Sequence, residues 1–128
     1  MDSRYFQRLR QIKQLGFAEH SFPGTTHNRY VHSLGAMEIA SLAFDSIFSK
    51  GKGPQEALPL SRDRARQFKA AVRLAALLHD IGHAPLSHTT EFAMPEVRHL
   101  ALPIAASGGG GPRKSRQATN EDYSLKII

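Results

Sequence analysis

The chain has 128 residues, 41% of them apolar, which suits one globular domain with a real core. It contains no cysteine, so disulfides and thiolate zinc sites are excluded and any metal must be held by imidazole and carboxylate. The net charge is +6, no run approaches the ~20 uncharged apolar residues of a membrane span, and the N-terminal MDSRYFQRLRQIK lacks the apolar segment of a secretion signal. A cytoplasmic protein with no membrane partner is therefore expected.

In chain order, Phe6, Leu9 and Ile12 recur at helical spacing and predict a short helix from Tyr5 to Leu15, with Gly16 placed to end it. FAEHSFPGTTHN reads as a loop. RYVHSLGAMEIASLAFDSIF carries apolar residues every third or fourth position and predicts a helix of about five turns, capped by Asn28 or Thr26. KGKGPQEALPLS is a connector. Residues 61–80 form a basic helix that turns apolar towards its C-terminal end, which is expected to be buried, with Gly82 and Pro85 terminating it. TTEFAMPEVRHLALPIAA is broken by Pro95 and Pro103, and the Gly-rich basic stretch at 108–117 reads as a flexible surface loop. TNEDYSLKII opens like a helix N-terminus, with a capping-type Thr119 and an acidic first turn, so 118–128 is the start of a further helix of a longer protein. The fold class is all-α, with residues 1–107 as the core carrying the motifs.

The basic residues cluster: Arg4, Arg8, Arg10 and Lys13; then Arg62, Arg64, Arg66, Lys69 and Arg73; then Arg113, Lys114 and Arg116. Such clusters favour polyanions, whether nucleotides or nucleic acid, although a charge run is commonly just a solvated helix face.

Histidine carries the sharper signal. In LAALLHDIGHAPLSH, His79 and Asp80 stand side by side in the most apolar segment, and on a helix both reach one point only beside the helix, as at a metal ion. His83 follows one turn later on the same face, while Arg29 and His32 share a face of the other long helix. A lone histidine on an apolar face is usually a satisfied core residue. A buried His-Asp pair with further histidines near it needs a partner.

FQRLRQIKQLG, FPGTTHNRYVHSLG and AALLHDIGHAPLSHTTE, spanning residues 6–91, resemble consecutive motifs of the HD-domain phosphohydrolases, in the branch that hydrolyses deoxynucleoside triphosphates. The resemblance implies an all-α HD-domain fold, incomplete in this chain. It implies that His32, His79 and Asp80 are three of four ligands of one divalent ion (Fe, Mn, Zn or Mg), the fourth being an aspartate further along. By the same resemblance Arg29 binds phosphate, His83 and His88 lie over the triphosphate as catalytic histidines with His83 the expected participant in the chemistry, Glu91 orients such a histidine, and Gln14 and Leu15 line the deoxyribose. The implied reaction is attack of water at the α-phosphorus, with release of nucleoside and triphosphate, and a homo-oligomer is expected.

Asn120 departs from the family pattern, which has a histidine there; an amide can hold a hydrogen bond but cannot deliver a proton. Neither the GYP-type motif expected of cyclic-dinucleotide cleavage nor the acidic HDxxED continuation expected for guanosine tetraphosphate is present. The competing reading is a degenerate HD module that binds nucleotide or nucleic acid without catalysis.

Overall fold

The computed structural model describes residues 1–49, 60–102 and 116–128. Among them there are four α-helices: α1 Arg4–Gln7, α2 Arg29–Ser49, α3 Arg62–Leu78 and α4 Asn120–Ile127, with shorter 3-10 turns between. No strand forms among the described residues; two isolated antiparallel bridges, Lys13 with Asn28 and Glu96 with Gln117, are the extended pairings. The fold is all-α. Two compact units divide the chain: residues 1–32 with 79–128, and residues 33–78.

In the first unit Phe6, Leu9, Ile12, Ile81, Leu100 and Ala118 are buried and form its core. The Phe6 and Tyr30 rings meet at 5.2 Å between centroids, and the Arg10 guanidinium lies 3.9 Å over Tyr30. The expected Tyr5–Leu15 helix does not form as one element. After α1 the chain tightens into a 3-10 turn at Arg8–Gln11, and Ile12 is extended. The reason is tertiary: Ile12 O accepts Arg29 N at 2.9 Å and Gln14 N donates to His27 O at 3.2 Å, so these backbone groups pair across the bridge instead of along a helix. Gly16 does not cap a helix either. At φ +54° it opens a second 3-10 turn, Gly16–His20, within the segment expected to be loop. A side chain there would bring its Cβ to 2.6 Å from Leu86 O.

In the second unit the bulk of α2 runs beside α3. Lys69 Nζ donates to both carboxylate oxygens of Asp45 at 2.6 and 2.7 Å, and Arg73 lies 3.7 Å from Glu38. Two cations of the expected polyanion-binding cluster are thus occupied by α2 acids. Phe44 and Phe48 stack at 4.4 Å. The expectation that the apolar end of α3 is buried needs correction: Leu77 is buried, but Leu74 is 55% exposed and Phe68 and Val72 are also open. Periodicity marks an apolar face without supplying the element that covers it.

Both helix starts in this part of the chain follow sequence chemistry. Asn28 Oδ1 accepts Val31 N at 3.1 Å, and Ser61 Oγ accepts Arg64 N at 3.4 Å, each satisfying a donor that the first turn leaves without a partner. At α4, Thr119 is the N-cap and Asp122 Oδ2 accepts the Thr119 N–H at 2.8 Å, half of a capping box. The connector 50–59 and most of the Gly-rich stretch 108–117 lie outside the described residues.

Candidate metal centre and its surroundings

The Lys13–Asn28 bridge lays Gln14 beside the start of α2, whose first turn carries Arg29 and His32. His79 and Asp80 do not continue α3 as expected. The helix stops at Leu78, and residues 79–82 form a turn. Asp80 O therefore serves a tighter bend, accepting from His83 N at 3.1 Å. Gly82 does more than end the helix: a Cβ on it would lie 2.2 Å from Asn120 O and 2.3 Å from Ser124 N, so the turn can sit this close to α4 only without a side chain.

Asp80 is the centre of the cluster and is buried. Its Oδ2 accepts from Arg29 Nη1 at 2.6 Å and lies 3.6 Å from His32 Nε2. Its Oδ1 lies 3.2 Å from His79 Nε2 and 3.4 Å from His83 Nε2. Burial by itself would push the carboxyl pKa up. The hydrogen bond from His83, the charges of Arg29 and His79 and the bond from Arg29 outweigh burial and hold it well below the usual carboxylate range. Burial lowers the His32 pKa; Asp80 opposes this, while His79, Arg29 and His27 add to it. At neutral pH His32 is a neutral imidazole with a lone pair to offer, the form a metal requires.

One donor atom each from His32, His79 and Asp80 lies within 4.8 Å of the others. Donors bound at ~2.0–2.2 Å stand no more than about 4.4 Å apart, so a small closure of these side chains would bring the two imidazoles and the carboxylate onto one divalent cation. The His32 and His79 rings stand edge to face, 5.3 Å apart.

The remaining expected residues lie around this cluster. Arg29 is buried; its Nη2 donates to Ser87 Oγ and, at 3.3 Å, to Gln14 O, and its Nε has no hydrogen-bond partner among the described residues. Gln14 meets Arg29 through its backbone carbonyl, whereas its side-chain Oε1 is buried without a partner there. Leu15 is partly exposed. The His83 ring is buried and stands 4.8 Å from the ring of His88, edge to face. His88 is exposed, and its Nδ1 lies 2.8 Å from Glu91 Oε1. Asn120 donates its side-chain amide to that same Glu91 oxygen.

Three contributors were not among the expected site residues. Ser87 joins Arg29 to Gln14 O, accepting from the one and donating to the other at 3.2 Å, from a backbone at φ +58°. Arg8 and Ser124 grip the turn at 79–83. Ser87, inside PLSH, and Arg8, inside FQRLRQIKQLG, could have been suspected from their places in the motifs; Ser124 could not, because it acts from a distant part of the chain.

Residues 29–106 match the HD domain. The chain belongs to the HD-domain family, a superfamily of phosphohydrolases. It is 34% identical over all 128 residues to the deoxynucleoside triphosphate triphosphohydrolase SAMHD1 homolog of Dictyostelium discoideum, of which it covers 20%. It is 40% identical over 103 residues, 77% of its length, to human deoxynucleoside triphosphate triphosphohydrolase SAMHD1, covering 15% of that protein. It is 46% identical over 89 residues, 70% of its length, to the uncharacterized protein YwfO of Bacillus subtilis, covering 18%. The chain thus spans a fifth or less of the length of these relatives. No helix among the described residues is long and apolar enough to cross a membrane.

Proposed function

We propose that this chain is the metal- and phosphate-binding part of a phosphohydrolase that cleaves deoxynucleoside triphosphates into nucleoside and triphosphate. The observation that carries the reading is the convergence of His32, His79 and Asp80 donor atoms within 4.8 Å, with Arg29 on the same carboxylate. The substrate class rests on the two triphosphohydrolase relatives named above.

His32, His79 and Asp80 would hold one divalent ion, which supplies Lewis-acid polarisation of a phosphoryl oxygen and of water. The chain's own groups do the rest. Arg29, fixed by Asp80, Ser87 and Gln14 O, brings a permanent cation beside the Asp80 carboxylate, where its charge would attract a phosphate group. His88 is held by Glu91 through Nδ1–H, and as the imidazolium it would give its Nε2 proton to a leaving oxygen, returning to the neutral ring. His83 lies between Asp80 and His88 and steadies both. Gln14 and Leu15 would take the sugar end. A homo-oligomer and a cytoplasmic location belong to the same proposal.

Elemental analysis and dGTP turnover test it. The expected result is about one divalent ion per chain, lost in His79→Ala, and deoxynucleotide binding that needs Arg29. Absence of any metal from wild type after manganese loading, together with salt-sensitive affinity for polynucleotide, would replace the proposal with the binding-module reading.

A further inference from the structure

The turn that bears His79, Asp80 and His83 has left its helix, so α3 does not fix its shape. Two side chains from elsewhere do. Arg8, in the 3-10 turn after α1, donates Nη1 to His83 O at 2.7 Å and Nη2 to Ile81 O at 2.6 Å. Ser124, in α4, accepts Gly82 N at 2.9 Å and donates to His79 O at 3.0 Å. Carbonyls and an amide of four of the five residues from 79 to 83 are therefore held by groups 42 to 75 positions away in sequence.

We infer that Arg8 and Ser124 are positioning residues for the metal centre: a two-sided brace that sets the separation of the His79 and Asp80 donor atoms. A planar guanidinium suits this role because its two parallel N–H groups fix both distance and angle to two carbonyls, which a single ammonium cannot do. A hydroxyl suits the other side because it accepts and donates at once, spanning a backbone N–H and a backbone C=O three residues apart. The absence of a Cβ at Gly82 lets α4 come close enough for Ser124 to reach the turn. The inference rests on the proposed metal site, which it deepens.

The experiment measures Mn2+ affinity by calorimetry for wild type, His79→Ala, Arg8→Met and Ser124→Ala, with urea midpoints recorded in chelator. Supporting groups around metal ligands are typically worth about 10- to 100-fold in affinity. Arg8→Met and Ser124→Ala are expected to weaken Mn2+ about tenfold each while the folded baseline in chelator is kept, and Arg8→Lys, which retains one donor, to fall between Arg8→Met and wild type. A purely structural role lowers the urea midpoints and leaves the affinity of the folded molecules unchanged; that result overturns the brace while His79→Ala still reports the site. A wild-type chain that takes up no Mn2+ overturns the metal reading itself. Where Ser124→Ala or Arg8→Met does not fold, Arg8→Lys decides, and wild-type affinity in it overturns the inference.

Discussion

Asn120 and Glu91 are joined by a side-chain hydrogen bond, and the Glu91 oxygen that accepts it is the one holding His88. The Asn120 amide, where the family resemblance leads one to expect a histidine, thus keeps a structural link between α4 and the His88 support. It cannot supply a proton. General acid-base groups contribute typically ~10²- to 10⁴-fold, so this chain is expected to release triphosphate from dGTP very slowly even with manganese. In a longer form that completes the ligand set, Asn120→His should raise the rate at least about tenfold, because an imidazole can donate the same bond to Glu91 and also exchange a proton. Fast turnover by the 128-residue chain itself would show that Asn120 does not limit the chemistry.

Arg29→Ala leaves the Asp80 carboxylate buried without its guanidinium, and removing one partner of a buried ion pair costs about 3–5 kcal/mol. Arg29→Ala should therefore lose most of its urea resistance as well as its deoxynucleotide affinity, whereas Arg113→Ala should change neither. Equal effects of the two substitutions on nucleotide binding would point to a diffuse basic surface in place of a defined site.

The long helix and the last one were legible because their signals are local. Asn28 and Thr119 are capping residues beside periodic segments, and they cap α2 and α4. The end of α3 was not legible. Nothing near Leu78 breaks a helix until Gly82, and the bonds that stop it come from Ser124, 42 residues from Gly82 in sequence. The same holds after α1, where the backbone bonds of Ile12 O with Arg29 N and of Gln14 N with His27 O prevail over helix propensity. Of the candidate site, the residue types and their motif order were readable, while the union of Arg29 with Asp80, Ser87 and Gln14 O needed the folded backbone.

Acid should act on α4 through Asp122. Its hydrogen bonds from Arg116, at 2.7 and 2.8 Å, hold its pKa below the ordinary carboxylate value, helped by Thr119 and opposed by burial. A carboxylate with a depressed folded pKa stabilises fully above its unfolded pKa of ~3.9 and loses that contribution as pH falls below it towards the folded value. Urea midpoints of wild type and Asp122→Asn should therefore differ at pH 7 and draw together as the pH falls below the unfolded value towards the folded one. A constant difference across that range would mean that the carboxylate charge is not what secures the α4 start.

Two glycines on this chain should respond to alanine with opposite signs. Gly35 lies within α2, and a Cβ there meets nothing within 4 Å. Gly35→Ala should stabilise by about 0.5–1 kcal/mol through the lower backbone entropy of the unfolded chain. Gly82 is the contrary case, because its Cβ would meet α4 backbone at 2.2 and 2.3 Å, atoms that no rotamer change can move aside. Gly82→Ala must push the turn and α4 apart, stretching the Ser124 contacts to Gly82 N and His79 O, at a cost of about 1–3 kcal/mol for overpacking. Chemical denaturation reads both changes, and amide exchange at Gly82 and His83 should accelerate in a Ser124→Ala chain, which loses the same contacts without the clash. A Gly82→Ala protein as stable as wild type, with unaltered exchange at His83, would mean that α4 does not hold the turn.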